Sequence, residues 1–262
     1  MIDVVVLAGG VDDGEIAAQT GTIHRPLLEV GGKPILQHVL AALGGAPSLD
    51  RVALVAPEPV LAIADNLVVD IPVVAGPGIL DNLLLGLEAL ASSARTGAVP
   101  EHVLVITGDL PLVTAASVED FLARSLALSA DVTYPIIPKA FSEAKFPEGK
   151  RTYVRLREGT FTGGNATVMT RAFADNSRDL IARLYEYRKS PVKLAALFGP
   201  GFLLKLVLGR LTLPALEARA SAIVRGRVRA VVTEFAELGF DVDKMDDLRV
   251  AREARSEEAK RR

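Results

Sequence analysis

Val4–Gly10 (VVVLAGG) and Val103–Leu112 (VLVITGDLPL), read as a pair, decide the fold. Each is an unbroken apolar run that stops at glycine, the pattern of a strand buried on both faces of a parallel sheet. The first run opens into the Gly9-Gly10 turn, where backbone N–H groups can approach an anion closely. The second delivers one carboxylate, Asp109, just past its strand. Ligands of open α/β sheets bind beyond the carboxyl ends of the strands, and both features fall there.

Working outward, apolar strand-like runs alternate with helical patterns. Strands are predicted at Ile2–Leu7, Arg51–Ala56, Pro72–Ala75, His102–Thr107 and Asp131–Ile137. Helices are predicted at Pro34–Leu43, Glu58–Asp65, Leu80–Ser93 and Ala115–Leu128. That alternation means a sheet covered on both faces. From Pro138 the pattern changes. Lys139–Lys150 reads as a loop, and Thr152–Arg157 with Phe161–Thr170 as a hairpin turning at Glu158-Gly159. Helices follow at Arg171–Arg188 and Pro214–Val224, a late strand at Arg227–Thr233, and a charged helix at Lys244–Arg262. We read one domain over 1–262, with a junction near residue 138 that divides it into halves 1–137 and 138–262. The second half carries an apolar helical insertion at about 189–224.

Composition narrows the function. The 262 residues are 50% hydrophobic, enough for a large core, and the net charge is −2. Dispersed Lys and Arg argue against nucleic acid as a partner. With no cysteine and three histidines, disulfides, thiol chemistry and zinc are not expected. Asp3 and the lack of a basic first segment make Met1–Leu7 a strand and not a signal peptide. No apolar run reaches the roughly 18 residues of a membrane span. A cytoplasmic protein is expected.

Further segments strengthen the pair. Arg25-Pro26-Leu27-Leu28 precedes Gly31-Gly32-Lys33-Pro34, and Phe240-Asp241-Val242-Asp243 leads into Met245-Asp246-Asp247-Leu248. In this order, with LAGG and Gly108-Asp109-Leu110-Pro111-Leu112, the chain resembles the nucleotidyltransferases of the GT-A fold. That group includes sugar-phosphate nucleotidylyltransferases and molybdenum-cofactor guanylyltransferase-like proteins. The resemblance spans residue 4 to about 250. It implies an α/β three-layer sandwich with a mostly parallel central sheet, of the GT-A nucleotide-diphospho-sugar transferase type. It also implies a reaction: a phosphorylated acceptor attacks the α-phosphate of a nucleoside triphosphate and pyrophosphate leaves. Such chemistry needs positioning, a metal and cations more than covalent help.

Residue by residue, the resemblance places Leu7, Ala8, Gly9, Gly10 and Gly108 around the nucleotide and Asn82 near the base. By the same resemblance Asp109 would hold Mg²⁺, with Asp241 or Asp243 as the second carboxylate, and Arg25 would be a catalytic cation; Lys33 is a second basic candidate, or else a solvated lysine near a helix start. Asn82 also reads as a helix cap, and the two late aspartates as an acidic helix start. Gly163, Gly164 and Asn165 are candidates for the acceptor, or else a bulge. Arg151, Tyr153 and Arg155 alternate, so one strand face would carry all three.

The chain departs from the family in two places. Relatives follow LAGG with a further glycine and an arginine. Here Val11–Ile23 has no Arg or Lys but carries Asp12, Asp13 and Glu15, which would repel a triphosphate unless screened or turned outward. Arg25 stands where relatives usually have lysine, and guanidinium geometry differs. Two alternatives therefore stay open: a GT-A glycosyltransferase using a nucleotide-sugar, disfavoured by the missing Asp-x-Asp, and a non-catalytic nucleotide-binding protein. Lys189–Arg210 joins Leu, Phe and Val to basic ends. It suggests a peripheral membrane contact or a homodimer surface, against ordinary packing on the sheet.

Overall fold

The computed structural model describes residues 1–11, 14–64, 67–93, 98–177 and 199–261. The strands are β1 (Ile2–Leu7), β2 (Glu29–Val30), β3 (Lys33–Pro34), β4 (Leu49–Ala56), β5 (Ile71–Val74), β6 (His102–Thr107), β7 (Val132–Pro138), β8 (Val154–Leu156), β9 (Gly159–Gly163), β10 (Ala166–Thr170) and β11 (Val228–Val232). A nine-stranded sheet has the order β5-β4-β1-β6-β10-β7-β9-β8, with β11 beside β7. Only β9 and β10 run against the rest, so the sheet is mostly parallel among the described residues.

The solid apolar runs are explained by two covered faces. Val4, Val6, Leu54, Leu104 and Ile106 pack with Leu36, Leu40, Phe121 and Leu122 of helices Ile35–Gly44 and Ala115–Leu126. Val5, Val55, Val103 and Val105 point the other way, onto Leu83, Leu87 and Leu90 of helix Ile79–Ser92. Alternate residues of one strand thus enter different cores, and both faces are apolar over Val4–Val6 and Val103–Ile106.

Beyond β7 several expectations change. Lys139–Lys145 is a helix and not loop, with Pro138 as its N-cap and Ser142 as its buried residue. The helix expected over Glu58–Asp65 closes at Leu61 after one turn, and Asp65 lies outside the described residues. The hairpin forms, but its long second strand breaks into β9 and β10 at Gly164-Asn165. There Asn165 N–H turns aside to donate to Leu238 O at 2.8 Å. The helix read over Arg171–Arg188 is seen as Arg171–Asn176, with Ser177 as its C-cap, and 178–188 lie outside the described residues. Gly31 and Gly32, at φ +59° and +74°, turn the small β2–β3 hairpin, a left-handed pair that glycine alone adopts readily.

Candidate functional site

The two decisive loops meet at the carboxyl edge of the sheet. β1 and β6 are parallel neighbours with Leu7 opposite Thr107. Gly108 N–H donates to Leu7 O at 2.9 Å. A Cβ on Gly108 would come within 2.7 Å of the Ala8 side chain, so this approach requires glycine. Gly9 is held differently: a Cβ there would strike the Asn82 amide at 2.3 Å. Asn82 is buried, and its Oδ1 accepts from Gly76 N–H at 2.7 Å. It is not the cap of its helix, a place taken by Gly78. Asn82 instead ties the Gly76 turn against the diglycine. Gly10 faces open space.

The Asp241–Asp243 segment closes on Asp109 through the backbone, with Val242 N–H donating to Asp109 O at 3.3 Å. Arg25, from a short turn started by Pro26, reaches across. Its Nη1 lies 2.5 Å from Asp243 Oδ1 and 4.0 Å from Asp109 Oδ2. Burial raises the Asp109 pKa above the ordinary carboxylate value. The Thr107 hydroxyl and Arg25 work against that rise and Asp243 adds to it. Burial, then the charges of Asp109 and Asp243, push Asp241 up to about 6, and Arg151 opposes the shift. Asp109 and Asp241 both hold a proton more tightly than an ordinary carboxylate, with the charge of Asp243 adding to each shift, the mark of a site short of positive charge.

A divalent cation fits that shortage. Asp109 Oδ1 and Thr107 Oγ1 are buried without a hydrogen-bond partner of good geometry among the described residues. The donors are all oxygen, the chemistry Mg²⁺ takes. Among the described residues no group of three or more His, Asp or Glu side chains is arranged to hold a metal ion. Mg²⁺ characteristically uses only one or two protein carboxylates and completes its shell with water and substrate phosphates.

Two residues whose roles sequence reasoning missed organise this corner. Arg151 is no member of an exposed strand face, because β8 begins only at Val154. Its side chain is 9% exposed, and it donates to Asp241 Oδ1 and to Asp241 O, each at 2.8 Å. Its guanidinium stacks on Phe240 at 4.4 Å. Asp247 accepts from Asp243 N–H at 3.2 Å and Lys244 N–H at 3.0 Å, fixing the start of helix Met245–Arg261. Its place four residues after Asp243, at a helix start, was the signal to read.

A polar cleft of about 390 Å³ brings the acceptor candidates to the same place. Gly163, Gly164 and Asn165 line it together with Asp241, Asp243, Lys150 and Lys244. Gly164 cannot carry a side chain, since a Cβ would lie 2.8 Å from Pro135 Cγ and 2.9 Å from Leu238 O. Lys33 stands apart. It is exposed on the β2–β3 hairpin, near His38, whose pKa is lowered first by burial and then by Arg255 and Lys33. In the acidic stretch after the diglycine, Glu15 starts a helix, Glu15–Thr20, and accepts from Gln19 at 3.0 Å. Asp12 and Asp13 lie outside the described residues.

Comparison with known proteins agrees with this architecture. The model of the MobA-like NTP transferase domain matches residues 4–232. The chain belongs to that family. It is, by that membership, a nucleotidyltransferase with a GT-A-like fold. A solved structure described as a hypothetical transferase from Thermus thermophilus is similar over 94% of this chain and 99% of its own, at 39% identity and a TM-score of 0.82. The 4-diphosphocytidyl-2C-methyl-D-erythritol synthase of Anaerococcus prevotii shares the fold at 14% identity and a TM-score of 0.54, covering 98% of each chain. The bifunctional protein GlmU of Desulfotalea psychrophila is 30% identical over 126 residues. That match covers 45% of this chain and 35% of GlmU, so the similarity spans about a third of that curated relative.

Proposed function

We propose that this MobA-like NTP transferase moves a nucleoside monophosphate from a nucleoside triphosphate to a small phosphorylated acceptor, with Mg²⁺ bound and pyrophosphate released. The observation that carries the reading is the convergence of Asp109, Asp241 and Asp243 beside the Gly9-Gly10 loop, with Asp109 Oδ1 buried there without a well-placed hydrogen-bond partner among the described residues. Asp109 and one of the two late aspartates would hold the ion, which supplies charge neutralisation for the phosphates. Gly9 and Gly10 would present backbone N–H groups to the triphosphate. Arg25 keeps the carboxylates neutralised before substrate arrives, and its position beside them suits it to developing phosphate charge. Lys150 and Lys244 lie where an acceptor phosphate would enter.

The reading is tested by a matrix of ATP, GTP, CTP and UTP against phosphorylated metabolites, with pyrophosphate as the readout and EDTA as control. Release with at least one pair, lost in EDTA, supports it. Binding of nucleotide with no release from any pair would favour a non-catalytic member of the family. Arg25→Ala should raise the triphosphate KM and lower kcat, by about tenfold or more together, since a charge-assisted contact is lost.

Membrane or self-association through 189–210 remains part of this proposal. On the described helix Pro200–Val207, Phe202 and Leu206 pack inward against Leu156, Phe161 and Leu211. Leu204, Val207 and Leu208 are exposed instead. Among the described residues no helix is long and apolar enough to cross a membrane. Leu204→Asp with Val207→Asp should therefore abolish liposome flotation if the wild type floats, without unfolding the chain. A wild type that stays at the bottom of the gradient would end the membrane reading.

A further inference from the structure

We propose that the acceptor is amphiphilic, its phosphate head lying in the Asp241 cleft and an apolar tail entering a second cavity on the other side of Tyr134. The proposal rests on the nucleotidyl-transfer reading of the cleft and extends it to the acceptor's chemical class. The second cavity measures about 350 Å³. Its walls include Ile136, Val154, Leu156, Phe161, Leu216 and Ala220. Size and lining match a small-molecule pocket, mostly apolar with few polar groups.

Three observations join it to the cleft. Tyr134, Thr162 and Gly163 line both spaces, so the two share one wall. A Cβ on Gly163 would lie 2.4 Å from the Tyr134 hydroxyl, so the bare glycine is what lets the phenol stand at this boundary. Burial, and then the charge of Asp241, raise the Tyr134 pKa, so the phenol on this wall feels the carboxylate that lines the cleft.

The roof of the cavity has a matching peculiarity. Helix Leu213–Val224 spans it, yet none of its residues is fully buried. The charges there are already engaged. Glu217 accepts from Ala230 N–H at 2.8 Å and lies 4.0 Å from Arg229, which donates to Val228 O at 2.8 Å. A polar ligand finds little to bind in this space, whereas each methylene sheltered there raises affinity about fourfold.

Calorimetric titration of the full chain with ethyl, butyl and octyl phosphate in Mg²⁺ tests the proposal. Affinity should rise at least tenfold from ethyl to octyl phosphate. Ala220→Trp and Val154→Trp, which fill the cavity from the helix and from β8, should each remove that gain and leave ethyl phosphate binding unchanged. Two variants from different elements guard against one failing to fold. No dependence on chain length, or the same dependence in both folded variants, would overturn the proposal. The transfer reading is judged separately. Chain-length-dependent binding without pyrophosphate release from any nucleotide would sink transfer and keep the cavity. Transfer to short polar acceptors with no chain-length gain would do the reverse.

Discussion

Asp109→Asn is expected to lower nucleotidyl transfer by at least about a hundredfold while leaving the folded chain intact, because it removes charge from the point where several carboxylates converge. The side chain is close to isosteric, and Val242 N–H bonds the Asp109 backbone and not its carboxylate. The stability effect has a definite sign. Burial raises the Asp109 pKa in the fold, so the folded chain binds its proton more tightly than the unfolded chain does. The stability this group contributes is present below the unfolded pKa and lost as pH rises through the folded one. At neutral pH the ionised carboxylate is therefore a cost in the metal-free protein, and asparagine removes it. Thermal melts at pH 7 without metal should show no fall in Tm, while pyrophosphate release collapses. Full activity in the variant would refute the assignment.

Asp3→Ala should have the largest effect on stability, about 3 kcal/mol or more. Asp3 is fully buried at the start of β1, at the opposite end of the strand from the diglycine. Arg51 reaches its Oδ2 at 2.9 Å, and Arg171 bonds the same oxygen. These arginines also hold the Leu90 and Pro100 carbonyls, at 2.8 Å each, so the cluster ties β1, β4 and the end of β10 together. Alanine would leave two guanidinium groups, each 15% exposed, without their shared counter-charge. Urea titration should show a lower midpoint with an unchanged slope, and kcat of the folded fraction should hold. An unchanged midpoint would show that the arginines find other partners at no cost.

The parts of this molecule legible in sequence are those where one physical demand dominates. Ile2–Leu7 and His102–Thr107 emerge at their predicted limits, because a strand buried on both faces reads as a solid apolar run, Asp3 being a buried exception held by Arg51 and Arg171. Asp109, Asp241, Asp243 and the Gly163–Asn165 turn could be nominated from spacing and resemblance, and the fold brings them to neighbouring walls of one edge. What was not legible depends on partners distant in sequence. Helix Lys139–Lys145 is short and leans on contacts such as Lys145 Nζ to Glu237 Oε2, at 2.6 Å, which no local pattern announces. Arg151 looked like one of an alternating set, yet it sits ahead of the strand and is claimed by Asp241, ninety residues on. Phe202 and Leu206 could not be told from Leu204 and Val207 until the sheet beneath them was placed.

The account is tested most directly by calorimetric binding of a nucleoside triphosphate, with and without Mg²⁺, to the wild type and to Asp109→Asn. We expect saturable binding to the wild type that weakens at least tenfold when Mg²⁺ is withheld, and an equal weakening in the variant with Mg²⁺ present. Equal affinity in all these conditions would contradict a shared metal and nucleotide site at the meeting of the two loops.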